Sequence, residues 1–163
     1  FKLPVVHLVD NPGFMIGRKA EEDGTIRYGS RAMMAVYQSK VPIAVVVMRK
    51  AYGMGGSAPA NLSRTKWRYA WPSGDWGSLP ISGGLEAAYK AELEASENPK
   101  ALLKDIQGRL NRVRSPFRTA EKFGVEDIID PRDTRAYLCR FIKAMQPRLQ
   151  ADVGMRPKYG VRP

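Results

Sequence analysis

Apolar and polar positions along the first fifty residues predict a strand, a helix and a second strand. Leu3–Asp10 is rich in β-branched residues and ends in the turn signal DNPG, which is typical of a short strand. Residues 17–29 are polar and bounded by glycine, which indicates a surface loop. A helix over residues 30–40, with Ser30 as its N-cap, would carry on one side the apolar residues Met33, Met34, Val36 and Tyr37. Val41–Arg49 is almost continuously apolar, as a strand buried on both faces would be.

The rest of the chain is predicted to be mostly helical, with two further short strands. The opening order of strand, helix and strand indicates a right-handed crossover unit, and therefore an α/β fold. Lys66–Pro72 is a strand candidate, and Ser73–Gly84 has the composition of a loop. A strand is predicted over residues 126–130, and helices over residues 85–98, 99–114, 117–123 and 133–146, the last with Asp133 or Thr134 as N-cap.

The stretch Arg49–Asn61 (RKAYGMGGSAPAN) follows the second strand and has glycine at three of four consecutive positions. Glycine loses more backbone freedom on folding than any other residue, so this density needs a reason. Small residues at a strand end let backbone N–H groups approach a ligand. A helix that begins there adds its N-terminal N–H groups and the positive end of its dipole. Such a loop binds either a phosphate or an oxyanion that develops during a reaction.

The phosphate interpretation matches the sequence poorly. A Walker loop requires a lysine directly after its last glycine, and this stretch has none. A dinucleotide fingerprint would use Gly53 and Gly55 with Ala58 in the third position, and Asp75 is only loosely placed as its acidic partner. An oxyanion is therefore the better prediction for this stretch.

Side chains that could act as nucleophiles or metal ligands are scarce. His7 is the single histidine, and it lies in a strand pattern where a structural role is more common than a catalytic one. The single cysteine, Cys139, lies on an apolar helical stripe and is predicted to be a small buried core residue. Ser57 is outside the G-x-S-x-G pattern of a nucleophile elbow, and the sequence lacks the Cys–His spacing of metal sites. The sequence thus favours oxyanion stabilisation by backbone groups, without a metal.

Composition and charge narrow the class of protein. Of the 163 residues, 44% are apolar and 26% are charged, which is typical of a folded domain. No apolar run approaches the roughly 20 residues that span a bilayer, and no secretory signal is recognised. The single cysteine favours an intracellular compartment. The net charge of +11 is concentrated in residues 100–163 but is interspersed along helices, so nucleic-acid binding is a minor alternative to a solvated surface or an acidic partner.

Four segments follow one another in the order of one enzyme family. Residues 8–17 (LVDNPGFMIG) match V-D-x-P-G-F-x-x-G, and residues 26–58 combine an I-x-x-G helix, a V-P strand and an R-K-x-Y-G loop. Residues 69–75 (YAWPSGD) contain an A-W-P turn, and residues 120–142 are similar to a closing V-I-D-P-x-x-T-R helix. The set resembles the C-terminal half of the carboxyltransferase (beta) component of biotin-dependent acyl-CoA carboxylases. The family includes the propionyl-, acetyl- and methylcrotonyl-CoA carboxylases and related sodium-pump decarboxylases.

This resemblance implies a crotonase-like fold of stacked ββα units with flanking helices. It implies that residues 1–163 are the C-terminal, biotin-side domain of a longer chain, whose N-terminal half binds acyl-CoA. Carboxybiotin on a separate carrier domain would donate CO2 to the α-carbon of the acyl-CoA, with no metal in this domain. The implied partners are acyl-CoA, the biotin carboxyl carrier and biotin carboxylase components, and further copies in a hexamer-type ring, a trimer of dimers. The implied location is the bacterial cytoplasm or the mitochondrial matrix, without secretion, membrane or nucleic acid.

The resemblance also assigns the site residues. It implies a biotin-side oxyanion hole built from the backbone of Gly53, Met54, Gly55 and Gly56. Contacts to biotin or substrate are implied for Pro12, Gly13, Phe14, Tyr52 and Ser57. Met54 stands where the family has glycine or alanine, and Ser57 where an Asp or Asn helps set acyl-chain preference in some members. Residues 73–98 depart most from the family pattern, which bears on the choice of substrate.

Two other functions stay open. Another crotonase-type enzyme acting on a CoA thioester, a hydratase or a decarboxylase, would share the glycine stretch but needs a Glu or Asp nearby. No carboxylate lies between Arg49 and Gly74, which argues against it. A non-catalytic assembly subunit that keeps the fold would account for the departures in residues 73–98.

Overall fold

A parallel β-sheet forms the centre of the protein. The computed structural model describes residues 3–57, 67–77 and 81–151. Within these ranges five strands belong to one sheet: β1 (Val5–Asn11), β2 (Ile43–Tyr52), β3 (Trp67–Ala70), β4 (Asp75–Gly77) and β5 (Asp127–Ile128). The strand order is β1-β2-β3-β5, with β4 also pairing with β2, and every one of these pairings is parallel. The predicted α/β class is thereby confirmed.

Helices connect and flank these strands, because parallel neighbours need a crossover rather than a hairpin. They are α1 (Arg18–Glu22), α2 (Thr25–Gln38), α3 (Gly53–Ser57), α4 (Ile81–Ala88), α5 (Lys90–Glu94), α6 (Pro99–Val113), α7 (Pro116–Glu121) and α8 (Thr134–Ala151). Helix α6 shows how the sequence sets a boundary. Its N-cap Asn98 accepts a hydrogen bond from the Ala101 N–H at 3.2 Å, and Pro99 occupies the first turn, where no N–H is needed.

Strand β2 is buried on both faces, as its apolar run predicts. Val45, Val46 and Val47 are at most 1% exposed. Successive side chains of a strand point to opposite faces. Val46 therefore packs with Tyr69 and Ile129 on one face, and the other face holds a second cluster of Val9, Val45, Val47, Ala51, Ala70 and Val125. This double packing fixes the end of β2, from which the glycine stretch continues.

A largely buried ion pair joins β3 to the β5 region. The Arg68 side chain is 6% exposed, and its Nη2 atom lies 2.7 Å from Glu126 Oε1 and 3.1 Å from the Phe123 carbonyl oxygen. Arg68 Nε also donates to both oxygens of Glu126, and the Arg68 backbone N–H donates to Oε2 at 2.7 Å. The Glu126 carboxylate thus accepts hydrogen bonds from both the guanidinium and the backbone N–H of Arg68.

The first long helix begins earlier than the sequence pattern predicts. Residues 17–29, predicted as a loop, contain α1 and the first turn of α2. Gly24 precedes α2 with a φ of +71°, a left-handed conformation that glycine adopts without strain, so the chain turns there and the helix begins at Thr25. Ser30 consequently lies inside α2, and its assignment as N-cap is wrong. Composition misleads here because a helix with one solvated face is as polar as a loop.

The segment predicted as a loop over residues 73–84 also contains regular structure. Asp75, Trp76 and Gly77 form β4 by pairing with Lys50, Ala51 and Tyr52. Helix α4 begins within the same segment, at Ile81. A strand of three residues that follows Gly74 and ends in Gly77 has little strand propensity of its own, so the order of β4 comes from its partner β2.

Cys139 is exposed, and the prediction that it is buried is wrong. Helix α8 packs on the sheet through Phe141, which is fully buried, and through Tyr137 and Leu138, which contact the Tyr69 cluster. At about 100° per residue, Cys139 lies a quarter turn or more from Leu138, on the side away from Phe141. The apolar stripe of this helix is thus narrower than its sequence indicates.

Replacing Gly108 in α6 with alanine is expected to raise the free energy of unfolding by about 0.5–1 kcal/mol, because alanine has less conformational freedom to lose. A Cβ built at Gly108 meets no described atom within 4 Å. Gly29→Ala in α2 is the matched contrast, since its Cβ would lie 2.4 Å from two ring atoms of Phe14 and should destabilise the protein. Urea denaturation of both variants measures this. A Gly108→Ala protein less stable than the wild type would contradict the prediction.

Candidate active site

The glycine stretch begins where β2 ends. Tyr52 is the last residue of β2, and Gly53–Ser57 form the short helix α3. Gly53 has a φ of +55°, a left-handed conformation that turns the chain directly from strand into helix. The first N–H groups of any helix lack acceptors within the helix and carry the positive end of its dipole. The predicted transition from strand end to helix start is confirmed, and a role of its N–H groups towards an oxyanion stays a prediction.

Two glycines of this stretch leave no room for a side chain. A Cβ at Gly56 would lie 2.3 Å from the carbonyl carbon of Ala51 in β2, which is far inside van der Waals contact. A Cβ at Gly55 would lie 3.1 Å from Asn11 Oδ1 and 3.2 Å from the Phe14 ring. Gly55 and Gly56 are both buried. The glycines therefore let α3 fold back closely against the ends of β1 and β2.

The residues after β1 lie beside the glycine stretch. Asn11 Oδ1 accepts a hydrogen bond from the Gly13 N–H at 2.8 Å, which closes a tight turn in which Gly13 has a φ of +103°. The Phe14 ring then lies between Gly29 of α2 and Gly55 of α3. Because β1 and β2 are parallel neighbours, their carboxyl ends meet at one edge of the sheet. Gly13 and Phe14, predicted site residues, are thus brought together with the glycine stretch.

An apolar groove of about 410 Å³ opens between α2 and the glycine stretch. Its lining consists of Ser30, Met33, Met34, Tyr37, Gln38 and Met54. Met54 is 49% exposed and is the residue that the glycine stretch contributes to the groove. Of the apolar residues that the sequence predicts on one side of α2, Met33, Met34 and Tyr37 line this groove and Val36 does not, and Met34 and Tyr37 remain about half exposed. The groove places an apolar, concave surface next to the start of α3.

Tyr52 does not face this groove. Its side chain is 2% exposed, and its hydroxyl donates a hydrogen bond to Asp75 Oδ2 and accepts one from Arg114 Nη2. Burial, together with the Asp75 carboxylate, raises the pKa of Tyr52 to about 12. Burial alone would raise the pKa of Asp75, but hydrogen bonds from Arg114 and Tyr52 outweigh it and hold that pKa below its usual value. A contact between Tyr52 and biotin stays a prediction, and the structure shows its hydroxyl engaged within the chain.

A second, exposed ion pair joins the ends of β1 and β2. Asp10 accepts hydrogen bonds from Arg49 Nε, at 3.1 and 3.2 Å, and from the Lys50 N–H at 3.1 Å. The hydrogen bond from Arg49 is the main reason that the pKa of Asp10 lies below its usual value. These residues come from two separate motifs, V-D-x-P-G and R-K-x-Y-G, so the contact joins the two motifs at one sheet edge.

Among the described residues, no group of three or more His, Cys, Asp or Glu side chains lies close enough to hold a metal ion. In the same part of the chain, none of the helices combines the length and hydropathy of a membrane span. The histidine and cysteine singled out in the sequence lie away from the glycine stretch, in β1 and on α8. At this sheet edge the described residues bring together the glycine stretch, the apolar groove and the Asp10–Arg49 ion pair.

Residues 1–154 match the family model of the carboxyl transferase domain. The chain belongs to this family. Its fold is the crotonase-like α/β fold predicted from the sequence. The 12S subunit of methylmalonyl-CoA carboxyltransferase from Propionibacterium freudenreichii is 37% identical over 139 residues, which are 83% of this chain and 26% of the relative. The mitochondrial propionyl-CoA carboxylase beta chain of Homo sapiens is 32% identical over 142 residues, 85% of this chain and 25% of the relative.

A solved structure of transcarboxylase 12S, a hexamer with methylmalonyl-CoA and methylmalonic acid bound, superposes on this carboxyl transferase domain with a TM-score of 0.78. The sequences are 31% identical, and the superposition covers 98% of this chain and 31% of the other. The beta subunit of geranyl-CoA carboxylase from P. aeruginosa has the same fold, with a TM-score of 0.80 at 22% identity. The chain thus spans about a quarter to a third of the length of these relatives.

Two contacts of this carboxyl transferase domain were missed in the sequence. Asn11 closes the turn at Gly13, and Arg114 binds both Asp75 and Tyr52. Asn11 occupies the variable position of V-D-x-P-G, so the motif does not indicate a role for its side chain. Arg114 lies 62 residues from Tyr52, at the end of a helix rich in arginine, so the sequence does not single it out. The side chain of Ser57, a predicted site residue, lies outside the part of the protein that the structure describes. Pro12 is exposed beside Gly13.

Proposed function

We infer that this chain is the biotin-side, C-terminal half of a carboxyltransferase that moves CO2 from carboxybiotin to the α-carbon of an acyl-CoA. The observation that carries the inference is the glycine stretch at the carboxyl end of β2, which packs without side chains against β1 and borders an apolar groove. Membership of the carboxyl transferase domain family supports it. The named relatives act on propionyl-CoA and methylmalonyl-CoA, which are both acyl-CoA thioesters.

The backbone of Gly53, Met54, Gly55 and Gly56 would supply the oxyanion hole. Carboxybiotin, when bound, supplies the CO2 and, once decarboxylated, a nitrogen base. The chain supplies hydrogen-bond donors fixed before the reaction, and such preorganised donors stabilise developing negative charge without reorganising at that moment. The positive end of α3 adds to this effect. Because the donors are backbone groups, this half of the site needs neither a metal nor an acidic side chain.

We propose that the groove receives the apolar part of the biotin ring system. Pockets for small ligands are concave and mostly apolar with a few polar groups, and Met33, Met34 and Met54 supply unbranched side chains that adapt to a ligand. Ser30 and Gln38 add polar groups to the lining. An apolar wall also excludes water, which strengthens the electrostatic effect of nearby N–H groups. We propose that Pro12, Gly13 and Phe14 support the ligand or the loop from the β1 side.

The partners follow from the same proposal. The acyl-CoA would be presented by another part of the complete protein or by a neighbouring subunit, and the biotin by a carrier that a biotin carboxylase component serves. A homo-oligomer, of the hexamer type described for transcarboxylase 12S, agrees with the exposed apolar side chains around α2. They include Met15, Ile16, Ile26 and Tyr28. We place the protein in the bacterial cytoplasm or the mitochondrial matrix, with no role for nucleic acid.

The test is carboxyl transfer by the complete gene product. The protein is incubated with a carboxylated biotin carrier and a panel of acyl-CoA thioesters from acetyl-CoA to long-chain and branched acyl-CoA, and carboxylated products are detected by mass spectrometry. Transfer that depends on biotin supports the proposal. Turnover of a CoA thioester without biotin would favour the hydratase or decarboxylase alternative, and assembly without any transfer would favour a non-catalytic subunit.

Replacing Met54 with alanine is expected to raise the KM for free biotin as carboxyl acceptor about fivefold, with a smaller effect on kcat. Met54 is about half exposed, and bound biotin would cover that exposed half. Burying a whole methionine side chain is worth about 1.5–3 kcal/mol, so losing half of that contact weakens binding about fivefold. The reverse reaction measures the change, as steady-state transfer of the carboxyl group from a carboxylated acyl-CoA to free biotin, which releases the acyl-CoA. Met145→Ala is the matched control, because Met145 lies on α8 and outside the lining of the groove. Equal KM values in both variants would contradict a role of Met54 in the groove.

A further inference from the structure

A cluster of three polar side chains lies next to the start of the glycine stretch and outside the lining of the groove. Arg114 is the C-cap residue of α6, Asp75 begins β4, and Tyr52 ends β2. Arg114 Nε lies 2.6 Å from Asp75 Oδ1, and Arg114 Nη2 donates to both Asp75 Oδ2 and the Tyr52 hydroxyl. The Tyr52 hydroxyl in turn donates to Asp75 Oδ2. Each member therefore contacts both others, although the three come from distant parts of the sequence.

The geometry of this cluster is that of a rigid contact. The guanidinium binds Asp75 with two of its nitrogen atoms, and this two-point geometry fixes orientation as well as distance. It also lies 5.5 Å from the centroid of the Tyr52 ring, within the range of a cation–π contact. The Arg114 and Asp75 side chains are 23% and 27% exposed, so water screens the cluster less than it screens a surface ion pair.

Backbone contacts tie the same elements together. Strand β4 pairs with the last three residues of β2, with Asp75 opposite Lys50 and Gly77 opposite Tyr52. The Trp76 N–H donates to the Arg114 carbonyl oxygen at 3.4 Å. Arg114 Nη1 also donates to Asn111 Oδ1 at 3.2 Å, which holds the guanidinium against the last turn of α6. Helix α6 is thus connected through Asp75 to the residue that directly precedes Gly53.

We propose that Arg114 is a positioning residue of the active site, which acts through Asp75 and Tyr52 to fix the start of the glycine stretch. Gly53 directly follows Tyr52 and has a left-handed φ, so it is a pivot at which α3 turns with any movement of the end of β2. A displacement of about 1 Å at a reacting group costs on the order of a hundredfold in rate. The proposal rests on the proposed carboxyl transfer and assigns a function to residues outside the groove.

The kinetic test uses Arg114→Met, Arg114→Lys and Tyr52→Phe in the complete gene product. Arg114→Met is expected to lower kcat for carboxyl transfer about tenfold to a hundredfold, with the KM for acyl-CoA within about twofold of wild type. Arg114→Lys should recover little, because an ammonium group cannot bind Asp75 at two points. Arg109→Met is the matched control, since Arg109 lies on the same helix and its partner Asp105 is exposed. A kcat that equals that of the control would overturn the proposal.

Hydrogen exchange supplies a test that does not require activity. In Arg114→Met, amides of residues 50–57 should exchange about tenfold faster than in wild type, while those of residues 43–47 in the core of β2 stay unchanged. Equal acceleration in both ranges would mean general destabilisation, and no acceleration would mean no positioning. Either result overturns the proposal. If Arg114→Met does not fold, kcat and hydrogen exchange are measured on Tyr52→Phe instead, because this substitution removes only one hydroxyl group.

These measurements separate the two proposals. Exchange that changes as expected in a protein without carboxyl transfer would overturn the proposed function and leave the positioning role of Arg114 intact. If the wild-type protein transfers carboxyl groups and the folded Arg114→Met variant has the same kcat, the proposed function stands and the positioning role of Arg114 is overturned.

Discussion

Gly56→Ala is expected to lower the rate of carboxyl transfer at least about a hundredfold, which is the loss that follows removal of one oxyanion donor. The new Cβ would lie 2.3 Å from the carbonyl carbon of Ala51 and 2.6 Å from its Cα. Ala51 is buried in β2, between β1 and β4, and has no space to move. The start of α3 must therefore shift away from the sheet edge. Initial rates with a carboxylated carrier, at saturating acyl-CoA, measure the loss.

Two comparisons make this result interpretable. Gly55→Ala should cost less, because its Cβ would meet Asn11 Oδ1 and the Phe14 ring at 3.1–3.2 Å, and side chains give more readily than backbone. Gly108→Ala adds the same methyl group far from the glycine stretch and should transfer carboxyl groups at the wild-type rate. A folded Gly56→Ala protein with wild-type activity would contradict the oxyanion role.

Glu126→Ala is expected to lower the free energy of unfolding by about 3 kcal/mol, the range found when one partner of a buried ion pair is removed. The substitution leaves the Arg68 guanidinium, 6% exposed, with the Phe123 carbonyl oxygen as its remaining described acceptor. It also deprives the Arg68 backbone N–H of its carboxylate acceptor. The Glu126 side chain is 34% exposed, so water that enters keeps the loss at the lower end of the range. Urea denaturation measures the change.

The matched control is Asp105→Ala, which removes the carboxylate of an exposed pair. Arg109 Nε lies 3.1 Å from Asp105 Oδ2, and both side chains are more than half exposed. Such pairs contribute about 0.3–0.5 kcal/mol. If Glu126→Ala and Asp105→Ala had the same effect, the pair between β3 and the β5 region would be no more important than a surface contact.

Features that depend on residues close together in the sequence were predicted well. The β1 and β2 strands, the long helix after residue 98 and the strand-to-helix transition at Gly53 follow from local apolar and helical patterns and from the glycines. The family resemblance was also recognised from short motifs, and the family model confirms it over residues 1–154.

The features that were missed depend on distant partners. Strand β4 is ordered by β2, and the cluster of Arg114, Asp75 and Tyr52 joins residues that are 39 and 62 positions apart from Arg114. The sequence suggests Asp75 only as the acidic partner of a dinucleotide fingerprint, because sequence alone does not show which charged side chains contact one another. The exposure of Cys139 likewise depends on how far α8 is rotated on the sheet, and that rotation is set by Phe141.

Strand β2 is ten residues long, and its edge opposite β1 serves two neighbours in succession. Ala44–Val47 pair with β3, and Lys50–Tyr52 pair with β4. The sheet therefore branches at Met48 and Arg49, where one branch leads to the packed core of β3 and β5 and the other to α6. Among the described residues, residues 73–98 join β2 through the pairing of Asp75–Gly77 and through a hydrogen bond from Ser73 Oγ to the Met48 carbonyl oxygen at 2.6 Å. The two branches therefore separate the pairing that builds the core of the sheet from the pairing that holds the residue before Gly53.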